Sequence, residues 1–284
     1  MFAGNFARGD AVVRALALLY HDVVEGGDWD ASGFPDPVSA TYKLERHDFE
    51  RHLAAASAVA ARRGTVHDLL EGTLDPPPVL LTFDDGGASA YGCIADMLER
   101  AGWRGHFFIT TDYLGTPGFV GRAQVRELAE RGHVIGTHSC SHPTRMARCS
   151  WDRLIAEWSR SAETLADVLG APVRVASVPG GAFSRRVAAA AAAAGLAALF
   201  TSEPTVRCRV VDGCLVVGRY VLRRGAPAAV AAALASGALS ARLRQLCLWN
   251  LKKVAKAVGG DLYPTLSRLV HGHTRSDSAR ATRA

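Results

Sequence analysis

The chain has 284 residues, 49% of them hydrophobic, enough for one sizeable core or two small ones, which excludes disorder of the whole. Its 33 Lys and Arg against 27 Asp and Glu leave +6, a modest excess that suits an anionic glycan, a nucleotide-sugar or a phospholipid face and singles out none of them. Aromatic and basic residues do not interleave as a base-stacking strip requires, so no nucleic-acid partner is expected.

From the start, Met1 to Asp10 carries Arg8 and Asp10, and the apolar run Ala11 to Leu19 is interrupted by Arg14. That is too short and too charged to span a bilayer, and no small-residue cleavage site follows it. The six scattered cysteines form no CxxC pair and are read as reduced thiols. Cytoplasmic residence is the expectation, with peripheral attachment to the inner membrane face left open, as is the oligomeric state.

Ala15 to Tyr20 reads as a buried strand ending in His21-Asp22, and the Gly, Pro and Asp content from Gly26 to Pro37 marks a loop. A helix is predicted from Asp48 to about Arg63. Pro76-Pro77-Pro78 breaks the chain before the strand Val79 to Phe83, whose carboxyl end is Asp84-Asp85-Gly86-Gly87. Helix and strand then alternate: Cys93 to Ala101, Gly105 to Thr110, Ala123 to Arg131, Val134 to Gly136, Trp151 to Leu169, Val173 to Val178 and Arg185 to Gly195. The last helix, rich in alanine, leads into the apolar Leu196 to Phe200. Such repetition argues for a parallel α/β fold, in which side chains at the carboxyl ends of strands converge on one open face. Beyond Arg224 the pattern turns helical. Trp249 to Val258, with Lys252, Lys253 and Lys256, is a basic amphipathic segment, and Arg242 and Arg244 extend its charge.

Two pairs on this frame carry chemistry. Asp84 and Asp85 are adjacent at one strand end, and His138 and His142 stand four residues apart after a later one. Neighbouring carboxylates repel unless one serves a cation, and imidazoles at i and i+4 share a face where the segment turns helically. Two histidines and one carboxylate are a common catalytic zinc set, with Zn–N distances of about 2.0 Å, and the second carboxylate is then free to act as general base on a water. Either motif alone is commonplace, as a turn or as surface and core histidines. Their occurrence together at strand ends is not.

Leu81-Thr82-Phe83-Asp84-Asp85-Gly86, His138-Ser139-Cys140-Ser141-His142-Pro143 and the weaker Val178-Pro179-Gly180-Gly181 resemble the motifs of the polysaccharide deacetylase family, which carries the NodB homology domain. The resemblance covers roughly residues 15 to 225. It implies a distorted (β/α) barrel of fewer than eight strands, with residues 1–245 as the catalytic domain and 246–284 as a basic helical extension and polar tail. It also implies Asp84 as base, with Asp85, His138 and His142 holding a divalent metal ion, for which zinc is expected. The substrate class implied is an N-acetylated amino sugar, in a glycan, a lipid-linked saccharide or a nucleotide-sugar, from which acetate is released. Backbone N–H groups near Gly180 and Gly181 would face the oxyanion.

Two departures stand out. Ser177 occupies the position two before Pro179 where many members have an arginine that orients the base, and Tyr220-Val221-Leu222-Arg223-Arg224 has no histidine where the late motif supplies one. In a closed barrel the first and last strands are neighbours, so His21 can reach the same face. An early Tyr-His pair supplies the acid in the branch that deacetylates poly-N-acetylglucosamine, and Tyr20-His21 resembles it. His21 is therefore taken as the general acid, its near-neutral titration suited to protonating an amine. Trp29, Asp112, Tyr113 and Glu203 are candidates for a sugar groove, Asp22 for orienting His21, and His106 for a core or rim role. Two alternatives stay open: a binding or regulatory protein on the same fold without turnover, and an acetyl-ester hydrolase.

Overall fold

The computed structural model describes residues 12–72, 74–181 and 183–259, with the side chains of 252–259 left out. The expected polar tail, with His271 and His273, lies outside the described residues.

Strand β1 (Leu16–Tyr20) is followed by the short β2 (Val23–Val24), which pairs with β3 (Leu44–Glu45). Helices α1 (Arg46–Val59) and α2 (Val66–Glu71) lead to β4 (Val79–Phe83). Then come α3 (Ala95–Arg100), β5 (Gly105–Ile109), α4 (Arg122–Glu130), β6 (Val134–Thr137), α5 (Trp151–Leu169), β7 (Val175–Ser177), α6 (Arg185–Ala193) and β8 (Ala198–Phe200). The chain closes with β9 (Arg209–Val211), β10 (Cys214–Val217), β11 (Arg219–Val221), α7 (Ala228–Ala235) and α8 (Leu239–Gly259). The boundary expected at residue 245 falls inside α8.

Local chemistry explains where these elements begin and end. Thr65 and Asp68 form a capping box at the start of α2, and the Ser150 hydroxyl accepts from Arg153 N (3.2 Å) to cap α5. At the other end of α5, Gly170 takes the left-handed conformation (φ 67°) that terminates helices. Strands β1, β4 and β5 are buried at every position, as parallel strands covered on both faces must be.

The main sheet has nine strands in the order β11-β1-β4-β5-β6-β7-β8-β10-β9, parallel except for β9 against β10. The expectation of fewer than eight strands is thereby overturned, and two local features account for the excess. Asp212-Gly213, with φ of 49° and 86°, makes the two-residue turn that folds β9 back on β10. The run 214–221 is divided at Gly218, so that β10 pairs with β8 while β11 pairs with β1. A side chain at Gly218 would meet the Glu203 carbonyl oxygen at 2.4 Å, so this division needs glycine. Since one residue links β11, at one end of the order, to β10, next to last at the other, the sheet curls round on itself. Ala17, Leu80, Phe108, Phe200, Leu215 and Val217 pack as one cluster, while Leu18, Leu81, Phe83 and Phe107 pack with Phe49 of α1 and Leu98 of α3. The carboxyl ends of β1, β4, β6 and β7 are thus brought round a common rim.

Candidate active site

Asp84 and Asp85 follow β4 directly, each only 5% exposed, yet their surroundings differ. Arg219, fully buried on β11, presents Nη1 to Asp84 Oδ1 at 2.7 Å and Nη2 to Oδ2 at 2.9 Å, a two-point grip. The Ser177 hydroxyl donates to Oδ1 as well, at 2.9 Å. Burial on its own would raise the Asp84 pKa; the Arg219 charge, with that of His138 and the Arg219 hydrogen bonds, holds it below the usual carboxylate range. Asp84 is therefore a rigid, ionised carboxylate.

Asp85 has no such grip. Its Oδ1 is buried without a hydrogen bond of normal geometry, while His138 Nε2 and His142 Nε2 each lie 3.4 Å away. Burial pushes its pKa up, but the His138 contact and the charges of His21, His138 and His142 bring it well below the usual range. His138 Nδ1 lies 3.1 Å from the Ser177 carbonyl oxygen and 2.5 Å from the Ser177 hydroxyl, which leaves Nε2 facing Asp85. A carboxylate oxygen buried without a hydrogen bond is costly unless a cation satisfies it. The ligand atoms of Asp85, His138 and His142 lie within 4.8 Å of one another, and a buried carboxylate oxygen with two imidazoles is the donor set of a divalent ion. The residues present fit such an ion.

The loop between the two histidines is shaped by a residue of α5. Glu157, 7% exposed, accepts at Oε2 from Cys140 N (3.0 Å) and Ser141 N (2.9 Å), and at Oε1 from the Ser141 hydroxyl (2.6 Å). Ser139 and His142 adopt left-handed backbones there (φ 69° and 53°), as does Asp85 (φ 76°). Three of the four non-glycine residues with positive φ among the described residues thus sit at this centre, where strain is held by surrounding contacts.

These side chains open into a cleft of about 770 Å³ that is also lined by His21, Phe34, Tyr42, Tyr113, Arg223 and Trp249. The β1–β11 register pairs Leu19 with Val221, and continued by two residues it sets His21 level with Arg223. The His21 ring lies tilted against Tyr42 (centroids 4.8 Å), and its buried Nδ1 has no hydrogen-bond partner among the described residues. Gly180 and Gly181 line the same cleft, with φ of 60° and 65°.

The Asp22 carboxylate accepts from the hydroxyls of Ser32 (2.5 Å) and Ser89 (2.8 Å) rather than orienting His21, and so ties the loop after β2 to the segment after β4. A side chain on Gly87 would strike Asp22 Oδ1 at 1.9 Å, which is why the motif ends in glycine. His106 is fully buried, with Nδ1 toward the Leu81 carbonyl and Nε2 accepting from Val66 N, both at 2.9 Å. Of the groove candidates, Tyr113 lines the cleft, whereas Trp29 stacks under Arg224 (4.2 Å) and Glu203 pairs with Arg209. Asp112 is exposed and does not line the cleft. Arg219 and Glu157 are the site residues that sequence reasoning missed.

Residues 71–199 match the family model for polysaccharide deacetylase. A curated relative, the "uncharacterized 30.6 kDa protein in fumA 3'region" of Geobacillus stearothermophilus, is 32% identical over 134 residues. That stretch is 46% of this chain and 49% of the relative, so the match spans about half of the relative's length. The fold is similar to the Streptococcus pyogenes deacetylase PplD, solved with acetate, at a TM-score of 0.61 and 17% identity over 74% of this chain and 94% of that one. It is also similar to a de-N-acetylase of Aggregatibacter actinomycetemcomitans, at a TM-score of 0.60 and 22% identity over 72% of this chain and 94% of that one. Residues 71–199 of this chain are thus similar to the polysaccharide deacetylase model, and its fold is shared with these two solved structures.

Proposed function

We propose that this chain hydrolyses the acetamide of an N-acetylated amino sugar and releases acetate. One observation carries the reading: a gripped, ionised Asp84 stands beside the Asp85, His138 and His142 cluster in a single cleft large enough for a sugar. Fold similarity to a de-N-acetylase supports the amide over other bonds.

Asp85, His138 and His142 would hold a divalent ion, with zinc the expected one. Bound there, it would polarise the acetamide carbonyl and lower the pKa of a water toward that of Asp84. Asp84 accepts the proton of the attacking water, its position fixed by Arg219 and Ser177 so that no reorganisation is needed during attack. Backbone N–H groups at Gly180 and Gly181 face the developing oxyanion. His21 gives a proton to the departing amine nitrogen, taking over from the absent late histidine by its place level with Arg223. That acid, following Tyr20, brings the reading nearest to deacetylases of poly-N-acetylglucosamine. Acetate release from N-acetylglucosamine oligomers by metal-loaded protein tests the proposal, with an acetylated ester in parallel. Ester hydrolysis without amide hydrolysis would overturn it.

A further inference from the structure

Helix α8 has a face that the fold does not use. Leu239 (61% exposed), Leu243 (49%), Leu248 (50%) and Leu251 (66%) stand open on it together with Cys247. Four of the large exposed hydrophobics among the described residues are therefore on one helix, whereas single exposed apolar residues elsewhere need no explanation. The charge that the sequence gives this helix has one sign: between Asp212 and Asp261 there is no acidic residue, and α8 holds Arg242, Arg244, Lys252, Lys253 and Lys256. None of the helices among the described residues is long and apolar enough to cross a membrane. Open leucines on a helix with only basic charges are the pattern of a segment that lies in the headgroup region of an anionic bilayer.

This helix is fastened to the cleft. Gln245 accepts from Val221 N (3.1 Å) and donates to Val221 O (2.9 Å), occupying the free edge of β11 much as another strand would. Arg242 donates to the Tyr220 hydroxyl (3.2 Å). Val221, Arg223 and Trp249 all line the cleft, so α8 is one of its walls.

We propose that the leucine face of α8 seats the protein on an anionic lipid surface, so that the cleft opens beside the bilayer and takes a lipid-linked N-acetylated saccharide. The choice of substrate rests on the deacetylase reading; the lipid contact does not. A second copy of the chain is the competing occupant. Its interface would gain nothing from the basic residues, because two like-charged faces repel.

Co-sedimentation of the full-length protein with phosphatidylcholine vesicles, with and without phosphatidylglycerol, tests the contact. Binding is expected only with the anionic lipid, weakening as salt is raised, and falling at least about tenfold in a Leu243→Glu, Leu251→Glu variant, since each change places a charge where an apolar side chain met the acyl boundary. Circular dichroism and hydrolysis of a water-soluble oligomer should be unchanged in that variant, while hydrolysis of an N-acetylglucosaminyl lipid embedded in anionic vesicles drops. Equal binding by variant and wild type would overturn the proposal. So would wild-type binding without preference for anionic lipid, or a wild-type dimer in light scattering that the variant loses. If vesicle binding behaves as expected but neither substrate yields acetate, the deacetylase reading fails and the lipid contact stands.

Discussion

Arg219 grips both carboxylate oxygens of Asp84, at 2.7 and 2.9 Å, from a strand 135 residues downstream. The guanidinium also lies over the rings of Phe108 (5.6 Å) and Phe200 (5.8 Å), inside the curl of the sheet. Ser177 adds a hydroxyl to the same carboxylate at 2.9 Å, so Asp84 is held from both β7 and β11.

Breaking this pair leaves a buried charge uncompensated, a cost of about 3–5 kcal/mol when one partner is removed. Arg219→Met should lower stability on that scale and reduce turnover by roughly 10² or more as the base loses its orientation. Arg219→Lys restores the charge without the planar fork, and should recover much of the stability but little of the rate. Denaturant unfolding and single-substrate kinetics on both variants check this; wild-type turnover in Arg219→Met would contradict it.

Glu157 touches neither the cluster's ligand atoms nor the cleft, yet it holds two amides and a hydroxyl of the loop between His138 and His142. Glu157→Ala should weaken metal affinity by about 10–100-fold, the usual effect of removing a group that orients ligands. Glu157→Gln, which keeps one acceptor, should lose less. Chelator competition measures the affinities directly, and an unchanged value in the Ala variant would assign Glu157 to folding alone.

His21→Ala should leave metal binding and folding nearly intact while lowering amide turnover by roughly 10²–10⁴-fold. An acetyl ester with a good leaving group should suffer much less, because its departing oxygen needs little protonation. Equal losses on both substrates would argue that His21 positions the substrate rather than protonating it.

His106 supplies a pH test independent of the cleft. Burial, opposed in part by the bond to Leu81, pushes its pKa down to about 4. A histidine with a depressed folded pKa binds its proton more readily in the unfolded chain, so the folded state loses stability as pH falls from about 6.5 toward the folded value. The loss approaches about 3 kcal/mol by pH 4. In His106→Gln this contribution is gone, so the stability gap between wild type and variant should narrow over that range in urea unfolding. A gap that stays constant would mean that His106 titrates normally in the fold.

How much of this was legible follows from how each feature is encoded. Asp84, Asp85, His138, His142 and His21 lie in short motifs at strand ends, and strand ends are marked by apolar runs that stop abruptly; all five line one cleft. Arg219 has no motif, but it is a lone charge in the apolar run Cys214 to Leu222, and a buried arginine demands a buried carboxylate. Glu157 likewise falls among Leu154, Trp158, Ser161 and Leu165 on the buried stripe of α5. Charge at apolar positions was the signal in both cases. The strand count failed for a different reason. Asp212-Gly213 between apolar runs is a hairpin signature visible in the sequence, whereas the division at Gly218 depends on contact with Glu203 and Thr205, which no local pattern reveals.

The most direct test of the central claim is acetate release from N-acetylglucosamine oligomers, measured on full-length protein depleted of metal and then reloaded with one equivalent of zinc. Release is expected from the loaded protein, lost on chelation, lost in a His138→Ala, His142→Ala variant that also fails to retain zinc, and reduced by at least about 10² in Asp84→Asn with zinc retained. Stoichiometric zinc in the double histidine variant, or acetate release indifferent to Asp84, would contradict the account.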